Sequence, residues 1–133
     1  MNDFQTNYPD LCRLEKFGES VEGKDLLVLK ISDRVELDEE EPEFFYTSTM
    51  HGDETAGYVG LLRLIDYILT NYGSDPRITG LVDDLEIWIN PLANPDGTFA
   101  GGNNNIYGAT RYNAYGIDLN RNYPDPEDGP HPD

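Results

Sequence analysis

The sequence predicts an α/β domain, a mixed β-sheet with flanking helices, and three patterns carry that prediction. Two short strand-like runs, Cys12 to Glu19 and Asp25 to Ser32, are divided by a turn. A strand-like run beginning at Glu43 leads into a helical periodicity from Glu54 to about Tyr72. An alternating run, Leu85 to Asn90, comes after it. At 133 residues the chain supplies one domain with a real core.

In chain order, Ser20-Val21-Glu22-Gly23-Lys24 carries a Glu-Gly turn signal, so the first two runs form an antiparallel hairpin. Leu26 to Leu29 is almost continuously apolar, which predicts a strand covered on both faces. Asp33 to Glu43 sets Glu36, Asp38, Glu39, Glu40, Glu41 and Glu43 against Arg34 alone. It lacks the spaced ligands and glycine of a calcium loop and reads as a solvated acidic loop. Glu43 to Thr49, with Phe44-Phe45-Tyr46, reads as a buried strand. Val59, Leu61, Leu62, Leu64, Ile65, Ile68, Leu69 and Tyr72 then recur at helical spacing, and Gly73 supplies a left-handed cap. Asp75-Pro76 reads as the N-cap and first position of a short helix to about Val82. Leu85, Ile87 and Ile89 alternate with Glu86 and Trp88 in a strand that Pro91 stops. Beyond Pro91, a long stretch rich in Asn, Gly, Tyr and Pro predicts loops, with one short strand at Gly116 to Asn120. Loops of such length are functional or disordered, and the Tyr and Arg content argues for function.

Composition removes several classes of partner. Twenty-six acidic against nine basic residues give a net charge of −17, a field that repels nucleic acid and anionic membranes. No apolar run reaches membrane-spanning length, and Met1 to Tyr8 lacks the basic and apolar regions of a signal peptide. Cys12, the sole cysteine, excludes an internal disulfide and reads as a small buried hydrophobe.

The chemistry concentrates in Thr47-Ser48-Thr49-Met50-His51-Gly52-Asp53-Glu54-Thr55-Ala56-Gly57. His51 and Glu54 lie at a turn between strand and helix, where open α/β sheets place ligands. An imidazole and a carboxylate three residues apart can face one point. Nitrogen at ~2.0–2.1 Å and oxygen at ~2.0–2.2 Å suit zinc, and one more protein ligand with a water would complete a catalytic site. A lone His-x-x-Glu is a common pattern, and three features further along the chain give it weight. They are Asn94-Pro95-Asp96-Gly97, then Arg111, then Gly116-Ile117-Asp118-Leu119-Asn120-Arg121-Asn122-Tyr123-Pro124.

In that order, and with Tyr8-Pro9-Asp10 and Val21 to Leu26 upstream, the chain resembles the zinc metallocarboxypeptidases of the carboxypeptidase A type. The resemblance implies the N-terminal part of the zinc carboxypeptidase fold, a partial mixed sheet, and hydrolysis of C-terminal peptide bonds. It implies His51 and Glu54 as the first two ligands of one zinc ion. Arg111 matches the family arginine that polarises the scissile carbonyl and steadies the oxyanion. Asn120 and Arg121 match the pair that grips the substrate's terminal carboxylate, a task suited to the two parallel hydrogen bonds of a guanidinium. Asn94 to Gly97 and Asn122 to Pro124 read as turn-formers that place these groups.

The family's third zinc ligand, its substrate-gripping tyrosine and its general-base glutamate lie beyond the Asn-Arg motif by more than this sequence extends. The resemblance therefore implies that residues 1–133 form an incomplete catalytic domain, holding zinc weakly and inactive by itself. His131, in Pro130-His131-Pro132, comes too early for the third ligand and reads as a terminal loop residue. Asp53 stands where several relatives carry a substrate-touching arginine. An interrupted sheet leaves an open edge, so self-association is expected, moderated by the negative charge. Two other readings share part of the pattern: a zinc amidohydrolase that deacylates N-acyl amino acids, and a non-catalytic domain that binds peptide ends without zinc. No export signal is visible, although the resemblance leans towards secreted or periplasmic proteins.

Overall fold

The computed structural model describes residues 1–121, 123, 124, 126, 127 and 129. Its elements are α1 (Asn2–Asn7), β1 (Cys12–Glu19), β2 (Asp25–Ile31), β3 (Glu43–Thr47), α2 (Ala56–Asn71), α3 (Pro76–Asp83), β4 (Glu86–Asn90) and α4 (Pro95–Thr98). The strands make one sheet in the order β1-β2-β4-β3. The pairs β1–β2 and β2–β4 are antiparallel and β3–β4 is parallel, so the sheet is mixed as the sequence predicts.

Local rules account for most of it. The hairpin turn closes through Gly23 N–H to Ser20 O (3.0 Å), with Gly23 at φ 75°, a conformation glycine adopts without steric cost. The parallel pair β3–β4 needs a long crossover, and α2 with α3 provides it. Leu61, Ile65, Ile68 and Leu69 recur on one face of α2 and meet Leu29, Ile31, Ile87 and Ile89 of the sheet, with Val82 and Cys12 closing the cluster. Each such aliphatic side chain contributes roughly 1.5–3 kcal/mol on burial. Tyr72 N–H caps α2 on Ile68 O (3.1 Å), and Gly73 at φ 76° turns the chain away. Asp75 then accepts Arg77 N–H (2.9 Å) ahead of Pro76, which starts α3. The Cys12 thiol is buried, and burial pushes its pKa up to about 11, which leaves it inert.

Four expectations need correction. The strand from Glu43 forms but ends at Thr47 and is not buried: Phe44, Phe45 and Tyr46 are 53%, 57% and 46% exposed. Among the described residues it is the edge of the sheet, paired with β4. Glu86 is not an outward-facing residue of an alternating strand; it is buried and paired with Lys30 at 2.7 Å. Burial pushes the Glu86 carboxyl up, but hydrogen bonds from Lys30 and the Glu39 amide outweigh that and hold it below its ordinary range. The acidic loop is not wholly solvated, because it folds back over this pair: Lys30 also donates to Leu37 O (2.7 Å), and Val35 is buried. Lastly, Gly116 to Asn120 is no strand. Asn113 Oδ1 accepts the Tyr115 and Ile117 amides (3.0 and 2.9 Å), an Asx-type turn that diverts the chain from sheet pairing. The short helices α1 and α4 were not expected from the sequence.

Candidate active site

The site is built where β3 and β4 end side by side. Past the last paired residues the two exits keep bonding: Ser48 N–H to Asn90 O (3.1 Å), Ala93 N–H to Ser48 O (3.0 Å) and Asn94 N–H to Thr49 O (3.1 Å). The chain then turns through His51 and Gly52 into α2, while the other exit folds into α4. Asn94 caps α4 by accepting Gly97 N–H (2.9 Å), which makes Asn94 to Gly97 the turn-former the sequence suggests. Gly52 lies at the crossing of these segments. Its carbonyl accepts the Thr98 hydroxyl (2.8 Å), and a Cβ there would strike the Gly97–Thr98 peptide and come within 2.5 Å of Thr110 O. Only hydrogen fits.

Four side chains converge at this crossing. His51 is buried, with Nδ1 3.1 Å from Glu54 Oε1 and Nε2 3.0 Å from Asp118 Oδ1. Arg111 donates from Nε to Asp118 Oδ2 (2.8 Å), and its Nη1 lies 3.3 Å from His51 Nδ1 and 4.0 Å from Glu54 Oε1. Asp118 is held down to about 2, first by the Asn120 amide (2.9 Å) and then, against its partial burial, by Arg111 and His51. Hydrogen bonding to Asp118 keeps the Arg111 charge fixed by raising its pKa further.

The donor set fits a divalent cation. An ionised Asp118 can only accept, so His51 Nε2 carries the hydrogen they share. The Arg111 N–H directed at Nδ1 makes that nitrogen an acceptor. In that tautomer Nδ1 and Glu54 Oε1, 3.1 Å apart, are two electron-pair donors that a cation could bridge. A tetrahedral zinc site with ligands at ~2.0–2.2 Å sets neighbouring ligand atoms roughly 3.3 Å apart. A carboxylate holding the far nitrogen of a ligating histidine is the usual support for such a ligand.

Of the residues singled out in the sequence, the structure thus brings His51, Glu54 and Arg111 together. Asn120 lines the open cavity beside His51, Glu54 and Gly57. Arg121 is exposed, and its guanidinium donates to its neighbour's carbonyl, Asn120 O (2.7 Å). Asp53 is exposed next to the turn. Asn122 and His131 lie outside the described residues. Among those described, the carboxylate groupings that come within 4.8 Å of one another are Asp33–Glu39–Glu41 and Asp38–Glu43–Glu86, and neither includes His51 or Glu54.

Sequence reasoning missed Asp118. It stands in the quoted Asp-Leu-Asn-Arg stretch, but it meets His51 across 67 positions, a pairing no local spacing reveals. It also gave Asp96 no role of its own. Asp96 is buried and accepts Ser20 Oγ (2.7 Å), Glu22 N–H (3.1 Å) and Lys24 Nζ (3.0 Å), so it ties the β1–β2 turn to α4. Burial pushes its carboxyl up, and these donors more than reverse that.

Comparison with known proteins bears on the family and the fold. The model of the family described as zinc carboxypeptidase, Peptidase M14, matches residues 1–132. Human carboxypeptidase D is 43% identical over 126 residues, covering 92% of this chain and 9% of that protein. Mouse carboxypeptidase M is 44% identical over 127 residues, covering 90% of this chain and 27% of that one. Among solved structures, carboxypeptidase A from Helicoverpa armigera superposes with a TM-score of 0.76 at 25% identity, over 92% of this chain and 31% of that chain. The chain therefore spans a third or less of each of these relatives. With the match running along nearly its whole length, it belongs to the zinc carboxypeptidase family, M14.

Proposed function

We propose that this chain supplies the opening part of a zinc-dependent carboxypeptidase site, acting on the C-terminal peptide bond of peptides or proteins. The observation that supports it best is the facing pair His51 Nδ1 and Glu54 Oε1, braced by Asp118 and flanked by Arg111. His51 and Glu54 would hold the zinc ion, which supplies Lewis acidity and an activated water when bound. Asp118 holds the His51 hydrogen on Nε2, so that Nδ1 would ligate once it gives up the Arg111 N–H it accepts in the metal-free chain. Arg111, anchored through Nε beside the ligand pair, would offer its Nη groups to a carbonyl oxygen gaining charge there. Asn120 and Arg121 would take the terminal carboxylate, so that chain ends are chosen over mid-chain bonds. The relatives are carboxypeptidases by name, which favours peptide ends over N-acyl amino acids as substrate and favours a zinc site over a metal-free one.

The test is zinc titration of the 133-residue chain by calorimetry. Measurable binding that disappears in both His51→Ala and Glu54→Ala supports the site; binding that survives both would sink it. Two protein ligands hold zinc weakly, so the 133-residue chain by itself should show no turnover. Chelator-sensitive release of C-terminal residues by this chain would contradict that part. In a longer form that is active, Arg121→Ala should raise KM more than it lowers kcat. The open β3 edge also favours pairing with a second copy. Sedimentation velocity at rising concentration checks this, a single monomeric species being the contrary result.

A further inference from the structure

Thr49 lies two residues before His51 at φ 55°, and among the described residues no other non-glycine enters the left-handed region. A β-branched residue is a poor occupant there, since its Cβ crowds the following carbonyl oxygen; Gly, Asn and Asp adopt the conformation with less strain. Backbone outliers that persist near a site are held by their surroundings and point to a purpose. For Thr49 the surroundings are specific. Its hydroxyl donates to Glu54 O at 3.1 Å, its carbonyl accepts Asn94 N–H at 3.1 Å, and the residue is 5% exposed. The hydroxyl bond closes the base of the loop from 49 to 54, which carries both His51 and Glu54. Glu54 N–H to His51 O (3.1 Å) is the bond inside it. The first turn of α2 leaves the loop no slack: a Cβ on Gly57 would lie 2.9 Å from Ser48 Cβ and 3.8 Å from Thr49 Oγ1. At the other end Asn94, which donates to the Thr49 carbonyl, also donates to Arg111 O (3.3 Å).

We infer that Thr49 is a positioning residue for the ligand pair: its hydroxyl fixes where Glu54 stands relative to His51, and the left-handed backbone is maintained to make that bond. The inference rests on the reading of His51 and Glu54 as zinc ligands. Glycine would relieve the backbone and lose the brace; valine would keep the shape and lose the brace; serine would keep the hydroxyl.

Three variants of the 133-residue chain separate these effects: Thr49→Ser, Thr49→Val and Thr49→Gly. Zinc affinity is read by competition with a chromophoric chelator, stability by Tm, and the geometry of the metal-free chain by the NOE between the His51 ring and the Glu54 side-chain protons. Thr49→Val and Thr49→Gly should bind zinc about 10-fold or more weakly, and Thr49→Ser within about 3-fold of the parent. Thr49→Gly should nevertheless melt no lower than Thr49→Val, since the strain is gone, so that affinity and stability part company. The NOE should be lost in both variants without the hydroxyl and kept in Thr49→Ser. Parental affinity in Thr49→Val, or an equal fall in Thr49→Ser, would overturn the inference. If His51→Ala leaves zinc affinity unchanged, the zinc reading fails separately and the NOE decides: its survival in Thr49→Val, or in Thr49→Gly should the valine variant not fold, rejects the brace.

Discussion

Asp96 and Asp118 are two carboxylates with the same wiring and different work. Both lie in the stretch after Pro91, each gathers three donors, and both are held below the ordinary carboxylate range. Asp96 is 3% exposed and its donors all come from the β1–β2 turn. The Asp118 side chain is 15% exposed, and two of its donors, His51 and Arg111, present their other polar atoms to Glu54. What separates a fold-holding carboxylate from a site-building one is therefore the far side of its donors. The Asp96 donors belong to one turn of the scaffold, while two of the Asp118 donors, His51 and Asn120, line the open cavity beside Glu54.

Substitutions can break that contrast. Asp96→Ala should have the largest effect, about 2–3 kcal/mol of unfolding free energy, because a buried carboxylate that accepts three hydrogen bonds is lost. Urea denaturation reads it, and a loss under about 1 kcal/mol would make Asp96 an ordinary surface-type position. Asp118→Asn should act the other way, lowering zinc affinity by about 10- to 100-fold while urea midpoints stay close to the parent. An unchanged affinity would detach Asp118 from the site. Lys24→Met should cost roughly 1 kcal/mol, less than Asp96→Ala, since Ser20 and the Glu22 amide keep their acceptor. The smallest effect is confined to acid. Both carboxylates are depressed in the folded state, so each stabilises fully above its ordinary value of 3.8 and loses that contribution as pH falls through the folded value. For Asp118 the window closes near pH 2, and carbon-13 NMR of its carboxyl should titrate there; a midpoint at 3.8 would remove the network from solution.

Elements governed by neighbours in sequence were legible in advance. The hairpin with Gly23, the apolar face of α2, the Gly73 turn and the Asp75-Pro76 start of α3 all arise from residues within a few positions of one another. Burial was not legible where it depends on distant partners. Glu86 is buried because Lys30 comes to it from another strand across 56 positions. Phe44, Phe45 and Tyr46 have the composition of a core strand, but no further strand pairs beyond β3 among the described residues. The site divides in the same way. The spacing of His51 and Glu54 announced a shared focus, and the family resemblance supplied Arg111, Asn120 and Arg121. Asp118, whose meaning depends on three partners in different segments, required the fold.

Gly52 carries a consequence for heredity. The space beside its α-carbon is already filled by two other stretches of main chain, so the constraint concerns volume and not polarity. Every amino acid one base change away from a glycine codon bears a Cβ. A randomised library screened for folded protein should return glycine at this position and nothing else, a site at which the genetic code offers no silent step to a different side chain.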